Sequence, residues 1–308
     1  MGAPFDGTRF RNEERAADRS LLQVLRWATS RQRTPWPAWV ENRARYEPRS
    51  PRAGELRATF VNHSTFLVEG GGLAFLTDPV WARRASPVQW AGPGRVRHPG
   101  IPFDRLPPID VVLVSHNHYD HMDLTTLRRL QARFGSRIVT TLGNKAFLER
   151  CGLRRVVELD WWQSHEGITA TPAQHFAARS LFDRNRTLWA GFALTLGKRR
   201  LYFAGDSGYH THFTAIGRRL GPFDLSLVPI GAYEPRWFMG AAHMNPDEAV
   251  RAHRDLQSRL SVAMHFGCFH LADEGIEEPV RELGRALERH AVPASAFRVL
   301  EPGESLAI

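Results

Sequence analysis

The sequence predicts an α/β protein: a sandwich of two mixed sheets with helices on the outer faces. Three observations carry this. IDVVLVS and FDLSLVPI are continuous apolar runs of strand length, as strands buried on both faces require. Amphipathic stretches with their own capping residues follow such runs. Strands and a capped helix recur in both halves of the chain without any short sequence period, which suits two layers of similar makeup.

Residues 1–50 read as an N-terminal extension and 51–308 as the catalytic domain. In the extension, Leu21, Leu22, Val24, Leu25 and Ala28 recur at helical spacing. The Pro- and Arg-rich stretch TPWPAWVENRARYEPRSPRAG follows as a connector held down on the domain. The helix is expected to pack on the domain; the rival is a helix lying on a membrane surface with Trp27 and Trp36 as interfacial anchors. ATFVN, TFLVEG and LAFLTDP read as consecutive strands, the last two joined through Gly70, Gly71 and Gly72. After IDVVLVS, Asp123 is placed to cap a helix that presents Leu124, Leu127, Leu130 and Phe134 on one side and ends at Gly135. FALTL and RLYFAGD flank a two-residue turn, Gly197-Lys198. Between FDLSLVPI and RLSVAMHF, Asn245 and Pro246 open a helix with Asp247 and Glu248 in its first turn.

Composition narrows the class. A chain of 308 residues with 43% apolar and 24% charged residues is neither disordered, collagenous nor a disulfide scaffold. No apolar run is long enough to span a bilayer. The first twenty residues lack the apolar stretch of a secretory signal, and Asp6 stands where a myristoylation motif needs Ser or Thr. Two cysteines, Cys151 and Cys268, carry no sign of pairing. Cytoplasmic residence, peripheral to the inner membrane face, is therefore expected. The formal charge of +9 invites a polyanion partner, but the basic residues are nearly all Arg and are interleaved with acids in RNEERAADR and RAHRDLQSR. No nucleic-acid partner is expected; homodimer formation stays open.

The chemistry is concentrated in Ser115-His116-Asn117-His118-Tyr119-Asp120-His121, between a buried strand and a capped helix. Imidazole and carboxylate suit Zn²⁺ and similar borderline metals. Alternation along an extended loop puts His116 and His118 on one side, leaving Asp120 and His121 for a second position. His175, Asp206 and His265 follow later strands. Each alone would be a structural residue; with the first cluster they make seven ligands converging from four strand ends on a metal centre.

The HxHxDH pattern with those later residues resembles the metallo-β-lactamase superfamily. More narrowly, FLTDPVWARRASPVQWAGP, VELDWW, FAGDSGY, GPFDLSLVPIGAYEPRWFM and NPDEAV resemble N-acyl-phosphatidylethanolamine-hydrolysing phospholipases D, over about Pro35 to Glu304. The resemblance implies two zinc ions per chain. His116, His118 and His175 would hold one, Asp120, His121 and His265 the other, with Asp206 between them; Mn²⁺ or Fe²⁺ would suit the same ligands. Asn62, Ser207 and Phe266 depart from the family's Gly, Thr and Trp.

The expected reaction is hydrolysis of a lipid phosphodiester, N-acyl-phosphatidylethanolamine to phosphatidic acid and N-acylethanolamine. A hydroxide shared by the metals would attack phosphorus in line. Asp120 would orient that nucleophile, and His243 would bond a phosphoryl oxygen or protonate the leaving group. Tyr119, Tyr233, Trp237 and Phe238 are the candidate substrate contacts, the last two with Met239 as an apolar wall in a loop. Trp161 and Trp162 are assigned to packing. His63 and Asp78 are candidates for orienting the ligand histidines. The rivals are a hydrolase of the same fold for another substrate, a sugar-phosphate lactone or a nucleotide phosphodiester, and a non-enzymatic metal-binding module at a membrane.

Overall fold

Along β1 (Arg57–Asn62) side chains alternate between two buried faces: Phe60 turns into the core between the sheets and Val61 toward helices outside. The same division runs through β2 (Thr65–Gly70), where Phe66 and Val68 face inward and Leu67 outward. The computed structural model describes residues 2–14 and 21–308. Part of the RNEERAADR run and the side chain of Leu21 lie outside the description.

The first sheet continues with β3 (Leu73–Thr77), β4 (Val111–Leu113), β5 (Arg137–Thr141) and β6 (Val156–Leu159). Its first three strands pair antiparallel and the rest parallel, and β14 (Ser305–Ala307) returns from the chain's end to pair with β1. The second sheet repeats the plan. β7 (Ser164–His165), β8 (Ile168–Thr171), β9 (Gly191–Leu196) and β10 (Arg199–Phe203) are antiparallel; β11 (Leu225–Pro229), β12 (Ser261–Met264) and β13 (Phe297–Arg298) add parallel strands. Phe60, Phe66 and Phe75 of one sheet and Phe192, Phe203 and Leu227 of the other share one core. The two-sheet sandwich is the predicted one.

Helices cover the outer faces. α2 (Leu124–Phe134) starts where expected: the Asp123 carboxylate accepts from the backbone of Thr125 and Thr126, and Gly135, at φ 66°, closes the end. Leu127 and Leu130 pack on the outside of the first sheet with Leu148 of α3 (Lys145–Arg150). On the second sheet, α4 (His212–Leu220), α6 (Pro246–Asp255) and α7 (Glu278–Arg289) contribute Phe213, Ile216, Val250 and Leu283. Asn245 and Glu248 form a full capping box at the start of α6. Trp161 is buried in the core with its indole N–H on the Trp189 carbonyl, while Trp162 is partly buried under the Arg219 guanidinium. Both cysteines are free. No helix among the described residues is long and apolar enough to cross a membrane.

Two expectations need correction. The IDVVLVS strand is reduced to three residues, Val111–Leu113, because the chain leaves the sheet early to deliver its polar loop. RWFM is no loop but a one-turn helix, α5 (Arg236–Met239). Trp27 and Trp36 pack on the domain, in line with the packing expected of this segment. Trp27, on α1 (Leu21–Thr29), stacks on Phe238 at 4.7 Å, and Trp36 stacks on His270 at 4.8 Å with its N–H on the Glu274 carbonyl. The connector is held down as expected: Thr34 bonds the Asp273 carbonyl, Val40 that of Val96, and Tyr46 is buried. Residues 2–14 also lie against the domain, with Phe10 in the core.

Candidate metal centre

The centre lies at one edge of the sandwich, where chain leaving β1, β3, β4, β8, β10 and β12 meets. His63, Asp78 and His265 there adopt left-handed backbone (φ 48°, 33° and 61°), a conformation that costs a side-chain-bearing residue energy and that the surrounding structure must enforce. The His63 carbonyl accepts from the His265 backbone, joining the two sheets across the site. Gly231 lets β11 pass beneath: a Cβ there would sit 2.2 Å from the His265 carbonyl oxygen.

Two ligand groups form. His116 Nε2 is 2.8 Å from His118 Nδ1, which is 3.3 Å from His175 Nε2. Around the second, Asp206 Oδ2 lies 3.1 Å from both His121 Nε2 and His265 Nε2, and Asp120 Oδ2 lies 3.4 and 3.5 Å from them. The same Asp206 oxygen is 3.8 Å from His175 Nε2, so it faces both groups. All seven sequence-predicted ligands are thus brought together: His116, His118 and His175 form one cluster, Asp120, His121 and His265 gather with His63 in another, and Asp206 clusters with His175 and His243.

The tautomers are set from behind. Asp78 accepts from the Ser115 backbone and hydroxyl (2.7 and 2.6 Å) and from His121 Nδ1 (2.6 Å), which leaves His121 Nε2 facing the centre. Ser115 Oγ, its proton given to Asp78, accepts from His116 Nδ1 at 2.9 Å. His175 Nδ1 donates to the Ala242 carbonyl at 2.9 Å. His116 and His175 therefore aim lone pairs, not N–H groups, at His118, an arrangement that a shared cation would stabilise. His63 Nε2 meets Asp120 Oδ2 at 3.1 Å. Both candidate orienting residues, His63 and Asp78, stand behind ligands.

The donor set fits metal. His121 Nε2, His265 Nε2, Asp206 Oδ1 and His243 Nδ1 are buried without a hydrogen-bond partner, a state that costs a folded chain free energy unless something fills it. Burial pushes His116 and His175 well below the ordinary histidine value and His118 down to about 4, so all three are neutral at pH 7 as ligands must be. Burial also opposes charge on His121 and His265. Against it, Asp206 and Asp120, with Asp78 for His121, hold His121 well above the usual value and His265 at about 9. Asp120 and Asp206 are buried too, yet those histidines keep both carboxyls well below the carboxylate range. The second set is thus a nest of anionic oxygens balanced by protons that a cation can replace.

His243 is placed at this centre and not on the surface. Its Nδ1 is 3.9 Å from Asp206 Oδ2, its ring is 5.0 Å from that of His175, and burial lowers it to about 4. Arg236 holds it, donating to the His243 carbonyl at 2.9 Å while pairing with both Glu248 oxygens.

The candidate substrate contacts are dispersed. Tyr119 donates to the Arg179 carbonyl at 2.9 Å and lies under the Arg179 guanidinium. Tyr233 is buried, and burial with Glu278, Glu274 and Glu234 raises its phenol above the usual range. Phe238 is covered by Trp27, and Trp237 lines a cavity of about 400 Å³ with Glu234, Asp273, Glu274 and Glu278. Trp237 and Phe238 thus pack with α1, while α5 itself lies beside His243, whose backbone N–H donates to the Met239 carbonyl. At the metal centre the Phe176 ring stands 4.6 Å from that of His118.

Sequence reasoning missed Asn12, Arg179 and Arg236. Arg179 donates to the Asn117 and Met122 carbonyls and so pins both ends of the histidine loop. Nothing in sequence separates it from the other arginines, because it acts on backbone atoms. The departures at Asn62, Ser207 and Phe266 leave the ligands intact: Ser207 Oγ bonds the Gln174 backbone, Asn62 the Val80 carbonyl, and Phe266 stacks on Phe60.

Comparison with known proteins agrees with this geometry. The beta-lactamase superfamily domain matches residues 74–266. N-acyl-phosphatidylethanolamine-hydrolyzing phospholipase D 1 of Caenorhabditis elegans is 41% identical over 267 residues, covering 81% of this chain and 75% of that protein. An uncharacterised protein of Mycobacterium tuberculosis is 40% identical over 301 residues, 92% of this chain and 79% of that one. Igni18, a metallo hydrolase of the archaeon Ignicoccus hospitalis, shares the fold with a TM-score of 0.62 at 21% identity, over 82% of this chain and 98% of its own. Fold and relatives define a metal-dependent hydrolase. The chain belongs to the metallo-β-lactamase superfamily and, within it, to the family of N-acyl-phosphatidylethanolamine-hydrolysing phospholipases D.

Proposed function

We propose that this chain hydrolyses N-acyl-phosphatidylethanolamine to phosphatidic acid and N-acylethanolamine at a dinuclear zinc centre. The observation that carries the two-metal reading is the Asp206 carboxylate oxygen facing both ligand sets, 3.1 Å from His121 and His265 and 3.8 Å from His175. The substrate comes from the relatives named for that reaction. His116, His118 and His175 would hold one ion, and Asp120, His121 and His265 the other. Bound zinc supplies a Lewis acid for the phosphoryl group and lowers the pKa of water to about 7.

The chain's own residues do the rest. Asp120, held by His63, orients the attacking water. His243, neutral in the resting site, bonds the phosphoryl oxygen or the departing alkoxide, and Arg236 fixes its backbone for that task. Phe176 stands over the three-histidine side, its ring 4.6 Å from that of His118. α1 is the surface that meets the lipid: Leu22 and Leu25 are 78% and 61% exposed, and Trp237 beside the helix is 40% exposed.

The test is product analysis. Zinc-loaded protein with N-acyl-phosphatidylethanolamine in mixed micelles is expected to form phosphatidic acid and N-acylethanolamine, and a chelator to stop it. No turnover by protein holding two metals would refute the substrate and direct the search to soluble phosphodiesters and lactones.

A further inference from the structure

The family domain begins at residue 74, yet the N-terminal arm reaches the metal centre. His175 stands beyond the end of β8, outside the sheet ladders, so its backbone needs partners from elsewhere. One side chain supplies both. Asn12 Nδ2 donates to the His175 carbonyl at 2.9 Å, and Asn12 Oδ1 accepts from the His175 backbone N–H at 3.1 Å. The amide thus does what a neighbouring strand would do. Trp189 Nε1 donates to the same Oδ1 at 3.0 Å, which fixes which end of the amide is oxygen.

The arm that carries Asn12 is anchored on both sides of it. Phe10 is buried in the inter-sheet core, and its backbone bonds the Asn185 carbonyl at 2.8 Å. Before it, the Asp6 carboxylate closes a turn by accepting from the backbone of Thr8 and Arg9 and pairing with Arg11. After it, Glu14 pairs with His210 at 2.7 Å and its carbonyl accepts from Gln174, the neighbour of His175.

We propose that Asn12 is a positioning residue for His175, so that the N-terminal arm completes the three-histidine half of the metal centre. His116 and His118 share one loop behind which Ser115 and Asp78 stand; His175 is the ligand of that set brought from the other sheet. Its ring is fixed at one point, by the Ala242 carbonyl on Nδ1. Metal–nitrogen distances tolerate only about 0.2 Å, so the backbone beneath the ring must be held as well. Asn12 holds it at both polar atoms. The second set, Asp120, His121 and His265, receives no bond from Asn12, so the effect is confined to one ion. The inference rests on the two-set reading of the centre proposed above.

The experiment is competition titration of the full-length protein, stripped of metal, with Zn²⁺ against a chromophoric chelator, and with Co²⁺ followed by its visible spectrum. For Asn12→Ala, one equivalent is expected to bind about 10–100-fold more weakly and to show altered cobalt bands, the other to stay as in wild type. Wild-type affinity and spectrum for both equivalents, or equal weakening of both, would overturn the proposal. Asp6→Ala loosens the arm from its exposed turn without removing core packing, and decides the matter if Asn12→Ala does not fold. A few-fold weakening of one equivalent supports the role, and unchanged binding refutes it. If wild type takes up a single ion, the dinuclear reading fails by itself, and the variants still report on the set that contains His175.

Discussion

His243 shows how one side chain acquires a role through what holds it. Its sequence position, two residues before the α6 cap, places it in a loop; the role proposed for it depends on Arg236, which grips its carbonyl while pairing with Glu248. His243→Ala removes the imbalance of a neutral, unpartnered ring beside Asp206 but leaves all seven ligands in place. Turnover is expected to fall about 10²–10⁴-fold with metal content unchanged, measured by kcat alongside elemental analysis. Unaltered kcat at full metal content would remove His243 from the reaction. The seven candidate ligands were legible because imbalanced chemistry stands out in sequence: histidines and carboxylates at strand ends have few structural uses in such density. Asn12, Arg179 and Arg236 were not legible. They act on the carbonyls or N–H groups of other residues, and any residue type offers those, so no spacing betrays them.

Among the elements, caps were the readable part. Asp123, Gly135 and Asn245 each satisfy orphan backbone groups, a local demand that sequence expresses directly. α5 was not readable, since four residues after a proline carry no helical period. The burial of α1 was read only in part. Its spacing announces an apolar stripe, but the contact with the domain runs through Trp27 on Phe238, and Leu22 and Leu25 stay open to solvent. Two glutamates replacing Leu22 and Leu25 keep the Trp27 contact and remove the apolar face. Such a variant is expected to lose binding to phospholipid vesicles in sedimentation while hydrolysing detergent-dispersed substrate at the wild-type rate. Equal sedimentation of variant and wild type would show that α1 does not face lipid.

At the scale of the whole molecule, the duplicated plan of antiparallel then parallel strands brings the strand ends of both sheets to one edge, and the halves' similar makeup foretold it. The net charge foretold less. Many arginines close loops on backbone carbonyls, as Arg95 does on Val80 and Ala82, and such use leaves no mark in a charge count. Acid sensitivity follows from the second sheet's cover. Burial and His210 hold His212, at the start of α4, down to about 3, so the fold keeps it neutral while the unfolded chain protonates it below about 6.5. The unfolded state then binds the extra proton, and stability is lost as pH falls from that value toward 3, at up to about 1.4 kcal/mol per pH unit. His212→Gln is expected to flatten the pH dependence of the denaturation midpoint over pH 7 to 4. An identical slope in the variant would assign acid sensitivity elsewhere.

In the proposed reaction water attacks phosphorus at this centre. Hydrolysis of N-acyl-phosphatidylethanolamine by the zinc-loaded protein in ¹⁸O-labelled water measures it directly. One labelled oxygen in the phosphatidic acid and none in the N-acylethanolamine is the predicted result. Label in the N-acylethanolamine would place the attack on carbon and contradict the mechanism.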